Sequence, residues 1–414
     1  MNKFLTCRLG IVACLLLLPR LVDASTTRYI NGQWLENERF VQKTVLVRDG
    51  MIVRSSSQQA DRTVDLRQSY VMPALAEAHN HNLQNCYMAP QVLKSYVSSG
   101  VLYSAQLFAT DPQLDKCRQL FDGDRTPSVA FARIGVTSST GHPIGIARQG
   151  AKSAGMEMSF AEITDGMLIA DTVEDLTNRW AEQKNRQTDF VKVVLIDSTN
   201  SQRNATILAL DGFNGVTPEV LNAVVRAAKT AGLRVVAHVD TAADFRVAVM
   251  AGVHTIGHLP GYRIAVGHKA DDYRLSEETV KAAAKRGIYV IPTVAAAHYF
   301  VGGNPARAGQ VDALYKHNLR LLLKHKVGIL TGSDRFEGSV IDEIVALDKT
   351  GLFTRAQLIN MSAVATAKWM LPNRRVGCLT YRCEASFTVY QQNPLSDLRI
   401  LKVPERVINR GREM

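Results

Sequence analysis

Residues 70–82 read YVMPALAEAHNHN, an apolar run that ends in two histidines. Only Asn80 separates His79 from His81. Side chains two positions apart on a β-strand point to the same face, so we expect the two imidazoles to lie side by side. A divalent metal ion would give a nitrogen of each ring a partner. H-x-H pairs also occur by chance, and the rest of the chain has to support this interpretation.

Seven further strand-like segments follow, and helical patterns alternate with them. The strand-like segments are 100–109, 127–136, 189–197, 233–240, 253–259, 288–295 and 327–334. The helical patterns cover 217–232, 241–252, 276–287, 311–326 and 355–370. Eight strands alternating with helices predict an α/β fold, a (β/α)8 TIM barrel over residues 71–374.

The two ends of the chain carry short strand-like pieces instead. Turn signals such as Asn31-Gly32 and Asp49-Gly50 interrupt residues 25–70, and residues 375–414 are similar in character. We therefore predict one small β-sandwich domain built from both ends, with the barrel inserted between them.

Residues 1–24 have the pattern of a secretory signal peptide. Lys3 and Arg8 precede an apolar run of about ten residues, which is too short to span a bilayer as a helix. Small residues surround a possible cleavage site after Ala24. We expect an exported protein, periplasmic or secreted, without an integral membrane segment after cleavage. An uncleaved anchor or a buried helix is the alternative.

The charge of the chain is positive but dispersed. The formal net charge is +11, and removing residues 1–24 takes away a net +2. No dense Lys/Arg run or basic helix interleaved with aromatic residues occurs, so the sequence does not indicate nucleic-acid binding. We expect a small-molecule substrate as the partner; the sequence does not indicate an oligomeric state.

Four cysteines remain after residue 24: Cys86, Cys117, Cys378 and Cys383. An even number in an exported chain permits two disulfides, for which three pairings are possible. A Cys378–Cys383 bond would close a tight turn and leave Cys86 to pair with Cys117. Free thiols are the alternative.

Four more ionisable residues fall on the predicted barrel strands. His238, His258 and Asp334 stand at the ends of the fifth, sixth and eighth strands, and such ends carry the chemistry of this fold. Lys192 stands inside the apolar fourth strand, where an unpaired ammonium group would be costly. Lys192 could instead pair with an acid, and Asp334 could be a helix N-cap.

The order H-x-H, Lys, His, His, Asp on strands one, four, five, six and eight resembles the metal-dependent amidohydrolase superfamily, in particular its imidazolonepropionase-like and Xaa-Pro dipeptidase-like branches. The resemblance implies that His79, His81 and Asp334 hold one metal ion. It also implies that His238 and His258 hold a second ion and that carbamylated Lys192 bridges the two. The chain departs from the family pattern at Pro73-Ala74 and Glu77, where the family commonly has Pro-Gly and Asp; neither change removes a ligand.

This ligand set predicts a metal-dependent hydrolase with one or two divalent ions. Imidazole and oxygen ligands favour zinc and are compatible with manganese, iron or cobalt. A metal-activated hydroxide would attack an amide or cyclic amide, and Asp334 would serve as general base and then general acid. A lactone or phosphate-ester hydrolase with the same metal centre is one alternative, and a non-catalytic solute-binding barrel is another.

Four residues are candidates for contact with the substrate. His142 lies in a long predicted loop at 137–165, and His298 and Tyr299 follow the seventh strand. Tyr103 lies in the second strand. For His142 the alternative is a surface position, and for Tyr103 it is packing in the core.

Overall fold

A computed structural model of the protein describes residues 26–54, 59–121, 123, 125–199, 214–262, 264–265 and 267–414. The predicted signal peptide lies outside these residues. The described strands are β1 (Thr26–Glu36), β2 (Arg39–Arg48), β3 (Met51–Val53), β4 (Arg62–Asp65), β5 (Tyr70–Pro73), β6 (Leu75–Asn80), β7 (Val101–Gln106), β8 (Ser128–Phe131), β9 (Ile134–Thr137), β10 (Leu168–Ile169), β11 (Phe190–Leu195), β12 (Arg234–Val239), β13 (Thr255–Gly257), β14 (Tyr289–Ile291), β15 (Gly328–Ile329), β16 (Phe387–Tyr390), β17 (Arg406–Asn409) and β18 (Arg412–Glu413).

Helices follow most of these strands. The α-helices are α1 (Ala89–Ser98), α2 (Ile144–Ser153), α3 (Phe160–Ile163), α4 (Val173–Trp180), α5 (Pro218–Thr230), α6 (Ala242–Ala251), α7 (Glu277–Lys285), α8 (Val294–Phe300), α9 (Pro305–Lys324), α10 (Val340–Asp348), α11 (Arg355–Asn360) and α12 (Ala367–Met370). A π-helical segment, Met361–Thr366, joins the last two, and 3₁₀-helices cover Pro112–Leu120, Ala181–Asn185, Ala270–Tyr273 and Leu398–Lys402. No described helix is both long enough and apolar enough to cross a membrane.

Both ends of the chain contribute strands to one sheet. Its order is β18-β17-β16-β5-β1-β2-β3, with β4 beside β1. The ring of Phe387 in β16 lies 5.3 Å from Tyr29 and 5.1 Å from Trp34 between ring centroids, so the two ends share one apolar core. Asp49 and Gly50 both have positive φ and form the tight turn between β2 and β3. Asn31-Gly32, in contrast, lies at a register shift within β1.

Two sheets of parallel strands make up the larger part of the fold. One has the order β6-β7-β8 and the other β10-β9-β11-β12-β13-β14-β15. A hydrogen bond from Ala78 N to Thr331 O (2.9 Å) joins β6 to the segment after β15. The third predicted strand is divided into β8 and β9, which belong to different sheets. The run 70–82 is also divided, because β5 joins the terminal sheet and β6 the parallel one.

Side-chain caps fix the starts of the helices that follow the strands. Thr241 caps α6 and Ser339 caps α10, each in a reciprocal pair with an aspartate three residues later. Asp244 of α6 also accepts hydrogen bonds from Ser198 N (2.7 Å) and Ser198 Oγ (2.6 Å), which ties the end of β11 to this helix. Asp244 therefore links the segment after β11 to the helix that follows β12.

The four cysteines form two disulfides, in one of the three pairings that the sequence left open. Cys86 is bonded to Cys117 and Cys378 to Cys383, with Cα–Cα distances of 5.7 and 5.8 Å. The first bond ties the segment after His81 to the 3₁₀-helix Pro112–Leu120, and the second closes a short turn next to β16. Cys86–Cys117 therefore holds the loop that follows the H-x-H pair.

We expect the two disulfides to stabilise the fold unequally. They span sequence separations of 31 and 5 residues. In the chain-entropy model, removal by double Cys→Ser substitution costs about 4 kcal/mol of unfolding free energy for the longer loop and about 2 kcal/mol for the shorter. Urea unfolding of the two double variants measures this difference. A larger loss for the Cys378/Cys383 variant would contradict the expectation.

Candidate metal centre

The carboxylate of Asp334 lies among the histidines predicted as ligands. His79 is in β6, and His81 is the first residue after that strand. Asp334 lies five residues beyond the end of β15. Asp334 Oδ1 is 3.4 Å from His79 Nε2 and 3.0 Å from His81 Nε2. A hydrogen bond from Asp334 N to His79 O (2.8 Å) fixes the two strand ends together. The structure thus assembles the first predicted ligand set.

These three residues fit a metal ion. Their ligand atoms all lie within 4.8 Å of one another. Atoms about 2.1 Å from a tetrahedral zinc ion lie about 3.4 Å from one another, which is close to the 3.4 and 3.0 Å between Asp334 Oδ1 and the two imidazoles. The chemistry of the set, two imidazoles and one carboxylate, also suits a divalent ion of this kind.

The second pair of histidines lies next to the first, and His258 of this pair adjoins the other oxygen of the same carboxylate. The rings of His238 and His258 are 4.6 Å apart, and the rings of His258 and His79 are 4.7 Å apart. His258 Nδ1 lies 3.6 Å from Asp334 Oδ2 and 2.7 Å from Thr293 Oγ1. Asp334 therefore adjoins three of the four histidines.

Lys192 is buried beside the histidines. Its Nζ lies 3.4 Å from His79 Nε2, and burial lowers the pKa of its amine to about 7. Among the described residues, no carboxylate oxygen lies within ion-pair distance of this amine. Lys192 therefore does not pair with any described acid, which argues against the alternative of an ion-paired lysine.

Burial favours the neutral form of the imidazoles of His79 and His258. Burial, followed by the nearby Lys192, lowers the pKa of His79 well below its usual value. Burial and the adjacent His238 do the same for the pKa of His258. Neutral imidazole is the form that binds a metal, so this environment favours ligation.

Left-handed backbone occurs at three positions of the site. His258, Asp334 and Thr293 have φ angles of 76°, 48° and 53°. Non-glycine residues seldom adopt this conformation, and surrounding contacts must hold it in place. Ser339, rather than Asp334, is the N-cap of α10, which removes the alternative role considered for Asp334.

Glu77 is a buried acid next to the ligands. Its two carboxylate oxygens accept hydrogen bonds from Ser333 N and Ser333 Oγ, both at 2.8 Å. Burial raises the pKa of Glu77 to about 8. Glu77 therefore positions the residue before Asp334, a role that the sequence analysis missed. Its position two residues before His79, on the same strand face, was the available signal.

Asp240 and Tyr262 also surround His238. His238 Nε2 lies 3.2 Å from Asp240 Oδ1 and 3.3 Å from Tyr262 OH, and Tyr262 stacks on His258 at 4.7 Å between ring centroids. Neither residue is among those predicted from the sequence. The two-residue spacing from His238 could have indicated Asp240, whereas no sequence pattern marks Tyr262.

The predicted substrate residues are scattered. His142 stacks on His238 with ring centroids 5.0 Å apart, so it adjoins the site. Tyr299 is exposed and lies under the guanidinium of Arg335, next to Asp334. His298 instead binds Asp312 of α9 through its Nε2 at 2.8 Å.

Tyr103 does not reach the site. Only 1% of its surface is exposed, and it packs in an apolar cluster with Ala76 of β6 and Trp369 of α12. Tyr103 is paired with Ala76 in the register of β6 and β7, three residues before His79. The structure therefore contradicts the prediction of substrate contact for Tyr103, because this side chain packs in the core.

We expect Gly257→Ala to weaken metal binding. A Cβ at position 257 would lie 2.9 Å from His79 Nδ1 and 3.6 Å from Lys192 Nζ, so His79 must shift. Disturbing a neighbour of a ligand typically lowers metal affinity by about 10- to 100-fold. Titration calorimetry with zinc measures the change. Gly309→Ala is the matched control, because nothing lies within 4 Å of its Cβ position; equal zinc affinity in both variants would contradict the prediction.

A model of the Amidohydrolase family matches residues 70–413 of the chain. Curated relatives are less informative. Uncharacterized proteins of Mycobacterium bovis and Mycobacterium tuberculosis are 26% identical over 207 residues, which is 47% of this chain and 51% of each relative. The chain therefore spans about half the length of the curated relatives it matches.

Solved structures resemble the chain over most of its length. A Xaa-Pro dipeptidase with bound methionine has a TM-score of 0.75 at 18% identity, covering 94% of this chain and 100% of that one. A. niger ochratoxinase has a TM-score of 0.71 at 18% identity (94% and 95%), and molinate hydrolase 0.70 at 16% (94% and 95%). At these identities the similarity establishes the fold, which is of the TIM-barrel type.

Proposed function

The chain belongs to the Amidohydrolase family, and from this premise we propose that it is an exported, metal-dependent hydrolase of amides or cyclic amides. The observation that supports this most directly is the Asp334 carboxylate, which lies 3.0 Å from His81 and 3.6 Å from His258. Because this one carboxylate adjoins both His81 and His258, it could bind a single ion or take part in a centre of two ions. We further propose that the parallel strands close into an eight-stranded barrel and that the terminal sheet forms a β-sandwich.

His79, His81 and Asp334 would hold one divalent ion, with zinc favoured, and His238 and His258 a second. Lys192 would bridge them after reaction of its amine with carbon dioxide to give an anionic carbamate. The low pKa of Lys192 supports this, because a neutral amine is the form that attacks carbon dioxide. When bound, such an ion lowers the pKa of water to about 7 and polarises a carbonyl oxygen.

Asp334 would move the proton in this reaction. Its side chain is 14% exposed, so the carboxylate faces the open side of the cluster while its oxygens adjoin the histidines. It would accept a proton as water adds to the substrate carbonyl, and return it to the nitrogen as the C–N bond breaks. The products are a carboxylic acid and an amine, which form one compound when the substrate is a lactam.

Turnover assays test the function. The zinc-loaded protein is incubated with N-acyl amino acids, Xaa-Pro dipeptides and cyclic amides, and with a lactone and an aryl phosphotriester in parallel. The dipeptides are included because a Xaa-Pro dipeptidase shares the fold. We expect cleavage of a C–N substrate. Preference for the lactone or the phosphotriester would indicate the alternative hydrolases, and binding without turnover of any compound would indicate a solute-binding barrel.

Export is proposed from residues 1–24 and is tested separately. N-terminal sequencing of the protein from a bacterial host that exports it is expected to begin at Ser25. Recovery of the intact N-terminus in the cytoplasmic fraction would contradict this part of the proposal.

A further inference from the structure

Exposed aromatic side chains border the metal centre. Tyr299 is 64% exposed and Phe336 60%, and both follow strands that end at the site. The ring of Phe336 lies 5.9 Å from that of His81, and Phe300 lies 6.0 Å from Tyr262, which itself stacks on His258. These rings form an apolar rim, defined as Tyr299, Phe300 and Phe336, immediately beside the ligands.

Arg335 places a positive charge in this rim. Its guanidinium lies 4.7 Å from the ring centroid of Tyr299, and the side chain is half-buried. Its backbone is held by a hydrogen bond from Asn80 Nδ2 to Arg335 O at 3.2 Å. Among the described residues, no carboxylate lies within ion-pair distance of this guanidinium. The five N–H donors of arginine suit a carboxylate, and none of the described carboxylates pairs with them.

We propose that Arg335 binds the free carboxylate of the substrate while the rim packs against an apolar side chain. This proposal rests on the proposed function and narrows it to N-acyl amino acids with a free α-carboxylate and an aromatic or large aliphatic side chain. Stacking on Tyr299 orders the guanidinium before binding, so less side-chain entropy is lost when the substrate arrives. Neutral amides of the same shape would leave the arginine unpaired.

Two ligands without a cleavable bond test the proposal by calorimetry. They are 3-phenylpropanoate and the neutral 3-phenylpropan-1-ol, titrated into the zinc-loaded protein and into the protein after chelation. We expect Arg335→Gln to weaken binding of the carboxylate by about 10- to 100-fold and to leave the alcohol unchanged. Arg335→Lys should retain part of the affinity. Arg226→Gln, an exposed position on α5, is the matched control and should behave like the unmodified protein.

Equal binding of 3-phenylpropanoate to the unmodified protein and Arg335→Gln would overturn the proposal, since the carboxylate would then be held by the metal. So would loss of all carboxylate binding after chelation. Kinetics with N-acetyl-L-phenylalanine and its primary amide give a second readout: the preference for the free acid should disappear in Arg335→Gln through KM more than kcat. Absence of turnover would contradict the proposed hydrolase function but not carboxylate binding by Arg335, because calorimetry measures that binding without any reaction.

Discussion

Replacing Asp334 with asparagine is expected to lower kcat by about 10²- to 10⁴-fold, the usual contribution of a positioned general base and acid. Asparagine has nearly the same shape but cannot accept the proton. It also lacks the charge that lies 3.0 Å from His81 Nε2 and 3.6 Å from His258 Nδ1. Steady-state kinetics on the best C–N substrate, with the metal content of each sample measured, give the result.

Asp271→Asn is the matched control for this substitution. Its side chain is 87% exposed and pairs only with Arg274 on the surface among the contacts described, so its kcat should be unchanged. If Asp334→Asn retained the full rate with metal bound, Asp334 could not be the proton carrier. If the variant lost metal as well as activity, an assay in excess zinc would show whether the loss of activity comes from weaker metal binding or from the missing proton transfer.

Metal removal is the second change with a large expected effect. Dialysis against a chelator should abolish hydrolysis, and zinc should restore it, because the imidazoles of His79 and His81 and the carboxylate of Asp334 converge on one place and suit a divalent ion. Calcium should not restore activity, since imidazole ligands suit transition metals and zinc better. The thermal midpoint should also rise on zinc addition, because a ligand at 100 times its Kd stabilises the folded state by about 2.7 kcal/mol.

The His79→Ala variant provides the control for this experiment. Zinc should raise its midpoint much less than that of the unmodified protein, because one of three closely placed ligands is gone. Full activity after exhaustive chelation, verified by elemental analysis, would contradict a metal mechanism.

The strand-end residues of the site could be predicted from sequence because each interrupts or terminates an apolar run. His79, Lys192, His238 and Asp334 are ionisable residues in or just after segments that otherwise bury hydrophobic side chains. Strand geometry then brings them to one end of the fold. The same logic failed for Tyr103, since a tyrosine in a strand packs in the core as readily as it binds a ligand.

The residues that hold the ligands and their neighbouring segments in place could not be predicted from apolar runs. Glu343 is a charged residue on the apolar face of α10, three residues after Val340, and it is fully buried and accepts a hydrogen bond from Ala295 N at 2.7 Å. Thr293 and Tyr262 lie in loops, whose paths no periodicity specifies. The boundary at Ala74 between β5 and β6 is hidden as well, because strands on both sides of it are buried and the hydrophobic run is continuous.

The most direct test of the account is X-ray diffraction from zinc-loaded crystals, with anomalous data collected at the zinc edge. We expect an anomalous peak about 2.1 Å from His79 Nε2, His81 Nε2 and an oxygen of Asp334, and electron density that extends from Lys192 Nζ as a carbamate. No anomalous peak among His79, His81, His238, His258 and Asp334 at saturating zinc would contradict the metal centre and the hydrolase mechanism built on it.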